Sequence, residues 1–249
     1  MSEIALEIKN IHKSFGDKVV HQGVSFSLKT GEILGLFGGS GTGKSVILRS
    51  IIGLEKPDNG EIFFEGQDIS KISERKLTHV RTKIGYVFQN GALFDSLTVE
   101  ENLSYPLKEH TSLSDEKIHT RVEEMLELID MKGSNNLLPA ELSGGMQKRA
   151  GMARATILEP KIILFDEPTA GLDPVNTKRL LDNILKLKAK GITGIFVTHD
   201  IPAALEISDR IALLNKGKIH VIDTVDNIIK SKDPLVQSFV SGAGAHHGH

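Results

Sequence analysis

The sequence predicts an α/β fold: a sheet core into which a block of helices is inserted. Two observations predict it. Short, mostly apolar runs suited to buried strands occur at residues 33–37, 84–88, 162–165 and 192–198. Between the second and third of these, at about residues 90–158, strand signals give way to helical ones. A third observation gives the core a chemistry. Residues 38–45, Gly38-Gly39-Ser40-Gly41-Thr42-Gly43-Lys44-Ser45, match G-x-x-x-x-G-K-[ST] directly between a strand run and a helical run. Glycines let successive backbone N–H groups turn inward as an anion nest, and the helix that follows points its positive end at phosphates. Lys44 adds a full charge for the β- and γ-phosphates, and the Ser45 hydroxyl suits Mg²⁺.

In chain order, residues 4–8 and 24–28 alternate apolar and polar side chains, as half-buried strands do. Residues 15–20 between them read as a loop carrying Phe15, an aromatic that either stacks on an adenine face or covers core. Residues 61–66 read as a strand, and 84–88 as a buried one ending at Gln89. Thr98 with Glu101 forms a capping-box pattern. Ser114-Asp115-Glu116 opens a second helix whose Ile118, Val122, Met125, Leu126 and Ile129 make one apolar stripe, read as core. Leu142-Ser143-Gly144-Gly145 precedes a further helical run, residues 146–158. Asp173-Pro174 opens another helix, with proline at its favoured first position. Asn215-Lys216-Gly217 reads as a hairpin turn. The tail, residues 241–249, is small and polar, and its His246, His247 and His249 read as part of a flexible end.

Length and composition bound the rest. A chain of 249 residues with 39% hydrophobic and 25% charged residues suits a globular protein with a real core. A net charge of −2 offers no basic footprint for nucleic acid. With no cysteine there is no disulfide and no thiolate metal site. The start lacks a signal-peptide pattern, and no stretch approaches the ~20 apolar residues that span a bilayer. Any membrane role is therefore expected to run through a partner.

Hydrolysis needs more than a phosphate cradle. Asp166 closes an apolar strand, at the edge where α/β sites lie, and suits Mg²⁺. Glu167, next along, suits a base that takes a proton from water. The bland reading of Asp-Glu-Pro is a turn start. His199 and Gln89 also end strands, yet taken alone each reads equally well as structural. Ser143-Gly144-Gly145 is a second glycine-rich helix start, hence either a second anion site or an ordinary Ser143 cap. One nucleotide does not need two such sites. Two copies arranged head to tail would use both.

Together these residues resemble the ATP-binding cassette family, the ATPase subunits of ABC transporters, from Ile4 to about Val240. The resemblance implies a P-loop NTPase (RecA-like) core with an N-terminal antiparallel β subdomain and an inserted α-helical signature subdomain. Residues 1–89 and 159–240 would form the core and residues 90–158 the helical subdomain. It also implies roles. Phe15 is the A-loop aromatic that stacks on adenine, and Gly38, Gly39, Ser40, Gly41, Thr42, Gly43, Lys44 and Ser45 bind ATP. Gln89 is the Q-loop, a metal ligand with Ser45 and Asp166. Ser143, Gly144 and Gly145 start the signature helix and act on the other copy's ATP. Glu167 is the catalytic base, Asp173 lies in the D-loop, and His199 is the switch histidine. Three positions depart from the common pattern: Phe15 stands for tyrosine, Met146 for glutamine, and Ala170-Gly171-Leu172-Asp173 for Ser-Ala-Leu-Asp.

Residues 89–94, 105–111 and 142–149 are similar to the ATPases of Mla-type (mammalian-cell-entry) phospholipid transporters. That similarity implies ATP and Mg²⁺ as cofactors and a second copy of the chain. It further implies an integral-membrane permease, a periplasmic lipid-binding ring protein and, in some systems, a small cytoplasmic regulatory subunit. The chain would then sit peripherally on the cytoplasmic face of the inner membrane. Two alternatives stand beside this reading: a small-solute importer's ATPase, and a soluble ATP-driven switch with no permease.

Overall fold

The computed structural model describes residues 3–242, and the expectation for the histidine tail falls on residues 243–249, outside that range. Two sheets organise the chain. The first is antiparallel, in the order β2-β1-β4-β5, built from β1 (Ile4–Phe15), β2 (Lys18–Lys29), β4 (Asn59–Phe64) and β5 (Gln67–Asp68). The second has the order β10-β9-β3-β8-β7-β6. It contains β3 (Ile33–Phe37), β6 (Ile84–Val87), β7 (Ile162–Asp166), β8 (Thr193–Val197), β9 (Arg210–Asn215) and β10 (Lys218–Thr224). Strands β6, β7, β8, β3 and β9 run parallel, and β10 closes the edge antiparallel to β9. Parallel strands are covered on both faces, which is why they read as apolar runs without alternation.

Period two still sorts their side chains. Leu34, Leu36, Leu164, Ile195 and Val197 pack with β1, β2 and the helix α1 (Lys44–Ile51). Phe37, Phe165, Phe196, Ile211 and Leu213 pack on the opposite face, against helices. Those helices are α3 (Val99–His110), α4 (Asp115–Leu128), α5 (Gly144–Thr156), α6 (Pro174–Ala189) and α7 (Ile201–Ile207). The α4 stripe Ile118, Val122, Met125, Leu126 and Ile129 is buried there as core. Between β6 and β7, which are direct neighbours, the chain leaves the sheet to form α3, α4 and α5. The capping box at Thr98 forms: its hydroxyl accepts from Glu101 N–H while the Glu101 carboxylate accepts from Thr98 N–H.

Two readings need correction. Residues 15–20 are not a loop. β1 continues to Phe15, which pairs with Lys18, so Phe15 closes a tight hairpin. Register shifts after Ile8 and again beyond Ile11 and Lys13 break the alternation, so the strand's second half carried no period-two signal. The tail also starts later than expected, because the last helix among the described residues, Pro234–Gly242, includes Ser241 and Gly242. Strand signals were absent for β5, and helical signals for α2 (Glu74–Arg81), where only Leu77 and Val80 are buried.

Candidate functional site

Four parallel strands lie side by side in the order β3, β8, β7, β6. Their C-terminal ends carry, in that same order, the glycine loop, His199, Asp166-Glu167 and Gln89. Segments far apart in sequence thus line one edge, where open α/β sheets place their ligands.

The loop is held by close approach. Gly43, the residue before α1, has φ +97°, and a Cβ there would stand 2.5 Å from His21 Nε2 and closer still to Val20. No side chain caps this helix start, so its N–H groups remain directed outward. Lys44 is buried, and its ammonium donates to the carbonyls of Gly38 (2.8 Å) and Gly39 (3.1 Å). Burial pushes its pKa below the ordinary lysine value, opposed by the charges of Glu167 and Asp166. Thr42 ties the loop further, its hydroxyl donating to Gly39 O at 2.9 Å. His21, 1% exposed, lies behind Gly43 with Nε2 3.1 Å from that residue's carbonyl, and burial holds its pKa below normal.

Alternation along β7 puts Asp166 on the same sheet face as Ile162 and Leu164, the face that α1 covers. Ser45 Oγ accordingly donates to Asp166 Oδ1 at 2.6 Å. Tyr86 of β6 donates its hydroxyl to Asp166 Oδ2 at 2.7 Å. Glu167 then leaves the strand geometry, with φ +51° in the left-handed region, a conformation that costs a non-glycine residue about 1–2 kcal/mol. Its N–H donates to Val197 O at 2.9 Å. Its carboxylate Oε2 lies 2.8 Å from His199 Nδ1 and accepts from His199 N–H at 3.3 Å. Strain at this residue is thus held from two sides by the end of β8.

Lys148, on α5, donates to the carbonyls of Pro168 (3.1 Å) and Ala170, bracing the segment after Glu167. Burial lowers its pKa, and the Glu167 charge works against that. Ser143 caps α5, accepting from Met146 N–H at 3.3 Å. Gly144 is exposed with open space around it, whereas a Cβ on Gly145 would meet Asn176 Oδ1 at 2.5 Å. Asn176 in turn donates to both oxygens of Asp173, the cap of α6, at 3.0 and 2.6 Å.

The structure therefore brings together Gly38–Ser45, Asp166, Glu167 and His199. Phe15 stands at the hairpin tip, 43% exposed, with Lys13 Nζ 4.9 Å over its ring, on the β1–β2 hairpin whose Val20 and His21 back Gly43. Gln89 is exposed beyond β6, and no hydrogen bond among the described residues joins it to Ser45 or Asp166. Ser143, Gly144 and Asp173 are also exposed, with no bond to the glycine loop. Tyr86, His21, Lys148 and Asn176 were missed. Tyr86, His21 and Lys148 act on a residue distant in sequence or on a backbone carbonyl, which leaves no local pattern to read; Asn176 bonds locally to Asp173, but its approach to Gly145 spans distant segments.

The sequence profile of the ABC transporter family matches residues 21–170. The chain belongs to the ABC transporter family. This ABC ATPase is 38% identical over 243 residues to the intermembrane phospholipid transport system ATP-binding protein MlaF of Haemophilus influenzae, spanning 97% of this chain and 92% of that protein. It is 40% identical over 240 residues to the probable ribonucleotide transport ATP-binding protein mkl of Mycobacterium leprae, spanning 96% of this chain and 69% of that one. Among solved structures it resembles the dimeric, ADP- and phosphate-bound cassette MJ0796, with a TM-score of 0.81 and 33% identity, covering 88% of this chain and 98% of the other. The cassette binds and hydrolyses ATP.

Proposed function

We propose that this ABC ATPase powers phospholipid movement between the inner and outer membranes through a separate integral-membrane permease. The observation that carries the reading is the end-to-end match to MlaF, a phospholipid-transport subunit by name. No helix among the described residues is long and apolar enough to cross a membrane, which suits a subunit held peripherally by that permease on the cytoplasmic face of the inner membrane. A periplasmic lipid-binding ring protein and a small regulatory subunit complete the proposed assembly.

Two copies pair head to tail. The exposed start of α5 makes no bond to the glycine loop of its own chain among the described residues, and the similar MJ0796 cassette is dimeric. Ser143, Gly144 and Gly145 of one copy then face the glycine loop of the other. Phe15 stacks on adenine, and the backbone of Gly38–Gly43 with Lys44 takes the phosphates. Residues 90–158 act as the helical subdomain.

The donors present fit Mg²⁺. Ser45 Oγ and Asp166 Oδ1, 2.6 Å apart, are hard oxygens beside the phosphate cradle. One carboxylate and one hydroxyl, with phosphates and water, is the set this ion favours. Gln89 would add its amide oxygen. When bound, Mg²⁺ offsets phosphate charge. Glu167 takes the proton from the attacking water, and His199 holds its carboxylate in place. Binding closes the pair and hydrolysis reopens it, a ligand-driven two-state switch whose motion Gln89 and its following segment pass to the permease.

The mkl match favours a second reading, a transporter of small solutes. A mild-detergent pull-down of the tagged protein from membranes, with lipid extraction, separates the two. A permease, a lipid-binding ring protein and enriched phospholipid are expected. A different permease with no enriched phospholipid would overturn the lipid reading.

A further inference from the structure

Tyr86 has no place in the scheme above, yet it grips the one carboxylate that the cation requires. Strand β6 pairs in parallel with β7, Tyr86 opposite Leu164, and the phenol reaches along the strands past that pairing to Asp166 Oδ2 at 2.7 Å. Its ring lies beside that of the exposed Phe88, with centroids 4.2 Å apart. The other oxygen, Oδ1, takes the Ser45 hydroxyl at 2.6 Å. An aspartate's terminal torsion is broad and roughly two-fold, so a carboxylate at a strand end is free to turn unless both oxygens are engaged. Here they are engaged from two separate elements, α1 on one side and β6 on the other.

Freed from Tyr86, the Asp166 carboxylate keeps only the Ser45 bond among the described residues, and a turn about that bond would spoil the cation site.

We propose that Tyr86 is a positioning residue for the divalent cation, holding the Asp166 carboxylate in the orientation in which it and Ser45 receive the ion. The proposal rests on the reading of Ser45 and Asp166 as the cation's protein ligands.

The test uses the full-length chain with Mn²⁺ as the probe, free ion being followed by electron paramagnetic resonance in the presence of ADP. A fluorescent ATP analogue in EDTA reports nucleotide affinity without metal. Tyr86→Phe, which removes only the hydroxyl, is expected to weaken Mn²⁺ binding about tenfold, as loss of a hydrogen bond to a charged group does. Its nucleotide affinity in EDTA is expected to match wild type. Phe88→Leu, which keeps the phenol and alters its ring neighbour, is expected to leave Mn²⁺ binding within about twofold of wild type, a change worth less than the hydroxyl's bond. Wild-type Mn²⁺ affinity in Tyr86→Phe would overturn the proposal. So would an equal loss of nucleotide affinity with and without metal, which marks a packing defect. If wild-type protein shows no ADP-dependent Mn²⁺ binding, the cation reading itself fails, and that outcome is distinct from the other two.

Discussion

Two helix starts in this chain look alike in sequence and are built on opposite principles. Ahead of α1, the glycine loop is buried at its base, backed by Val20 and His21, and left without a side-chain cap. Ahead of α5, Ser143 caps the helix and Gly144 stands in open space. The first is a finished receptor whose N–H groups are kept free by the packing behind them. The second is a surface element, held from below by Asn176 against Gly145, with open space around Gly144 among the described residues. A glycine-rich turn before a helix is thus not one kind of site. What lies behind the turn decides whether it binds alone or presents itself to a partner.

The largest expected effect breaks the comparison at the chemistry. Glu167→Gln is expected to lower ATP hydrolysis by about 10²–10⁴-fold, the span of general-base catalysis, while ATP binding persists. Phosphate release and filter binding on one preparation measure both, and undiminished hydrolysis would remove Glu167 from its role. Gly43→Ala tests the buried receptor. The added methyl meets His21 and Val20 at a left-handed backbone. Strain and overpacking of about 2–4 kcal/mol should appear as a lower Tm and at least a tenfold loss of ATP affinity. Gly144→Ala sharpens the other half. With open space around it and a helical position, alanine is expected to leave stability unchanged or raise it by up to about 1 kcal/mol. A several-fold fall in hydrolysis with unchanged melting would then report a neighbour that the folded single chain does not contain.

The smallest effect concerns the cap of α6. Hydrogen bonds from the backbone and side chain of Asn176 hold the Asp173 carboxyl below its ordinary value. A depressed folded pKa contributes stability above the unfolded value, near pH 4, and that contribution is lost as pH falls through the folded pKa. Asp173→Asn keeps an amide oxygen for the cap and should flatten that small acid-side loss in melting temperature below about pH 4.

Much of this was legible because the physics was local. Residues 33–37 and 162–165 read as buried strands since both faces are covered, and Thr98 with Glu101 announced its own cap. The α4 stripe showed its core face by spacing alone. The bulged half of β1 was not legible, because each register shift resets the alternation. Helix α2 was not either, being polar except at Leu77 and Val80. Within the site, Ser45 and Asp166 were each suggested by their motifs, but the third member, Tyr86, reaches Asp166 across 80 positions of sequence. To the eye Tyr86 was one more apolar strand residue. His21 and Lys148 act on backbone carbonyls, which no side-chain pattern announces.

The neighbouring of β6 and β7 has a consequence for how the chain assembles. These strands pair residue for residue, yet residues 88–161 lie between them. Closing so long a connection costs entropy that pairing alone repays slowly, whereas α3, α4 and α5 collapse through contacts close in sequence. The helices therefore act as the tether that brings β7 to β6. In pulse-labelled amide exchange during refolding, α3–α5 are expected to gain protection before the β6–β7 ladder does. The edge bearing Gln89 and Glu167 would be the last part of the sheet to be sewn shut.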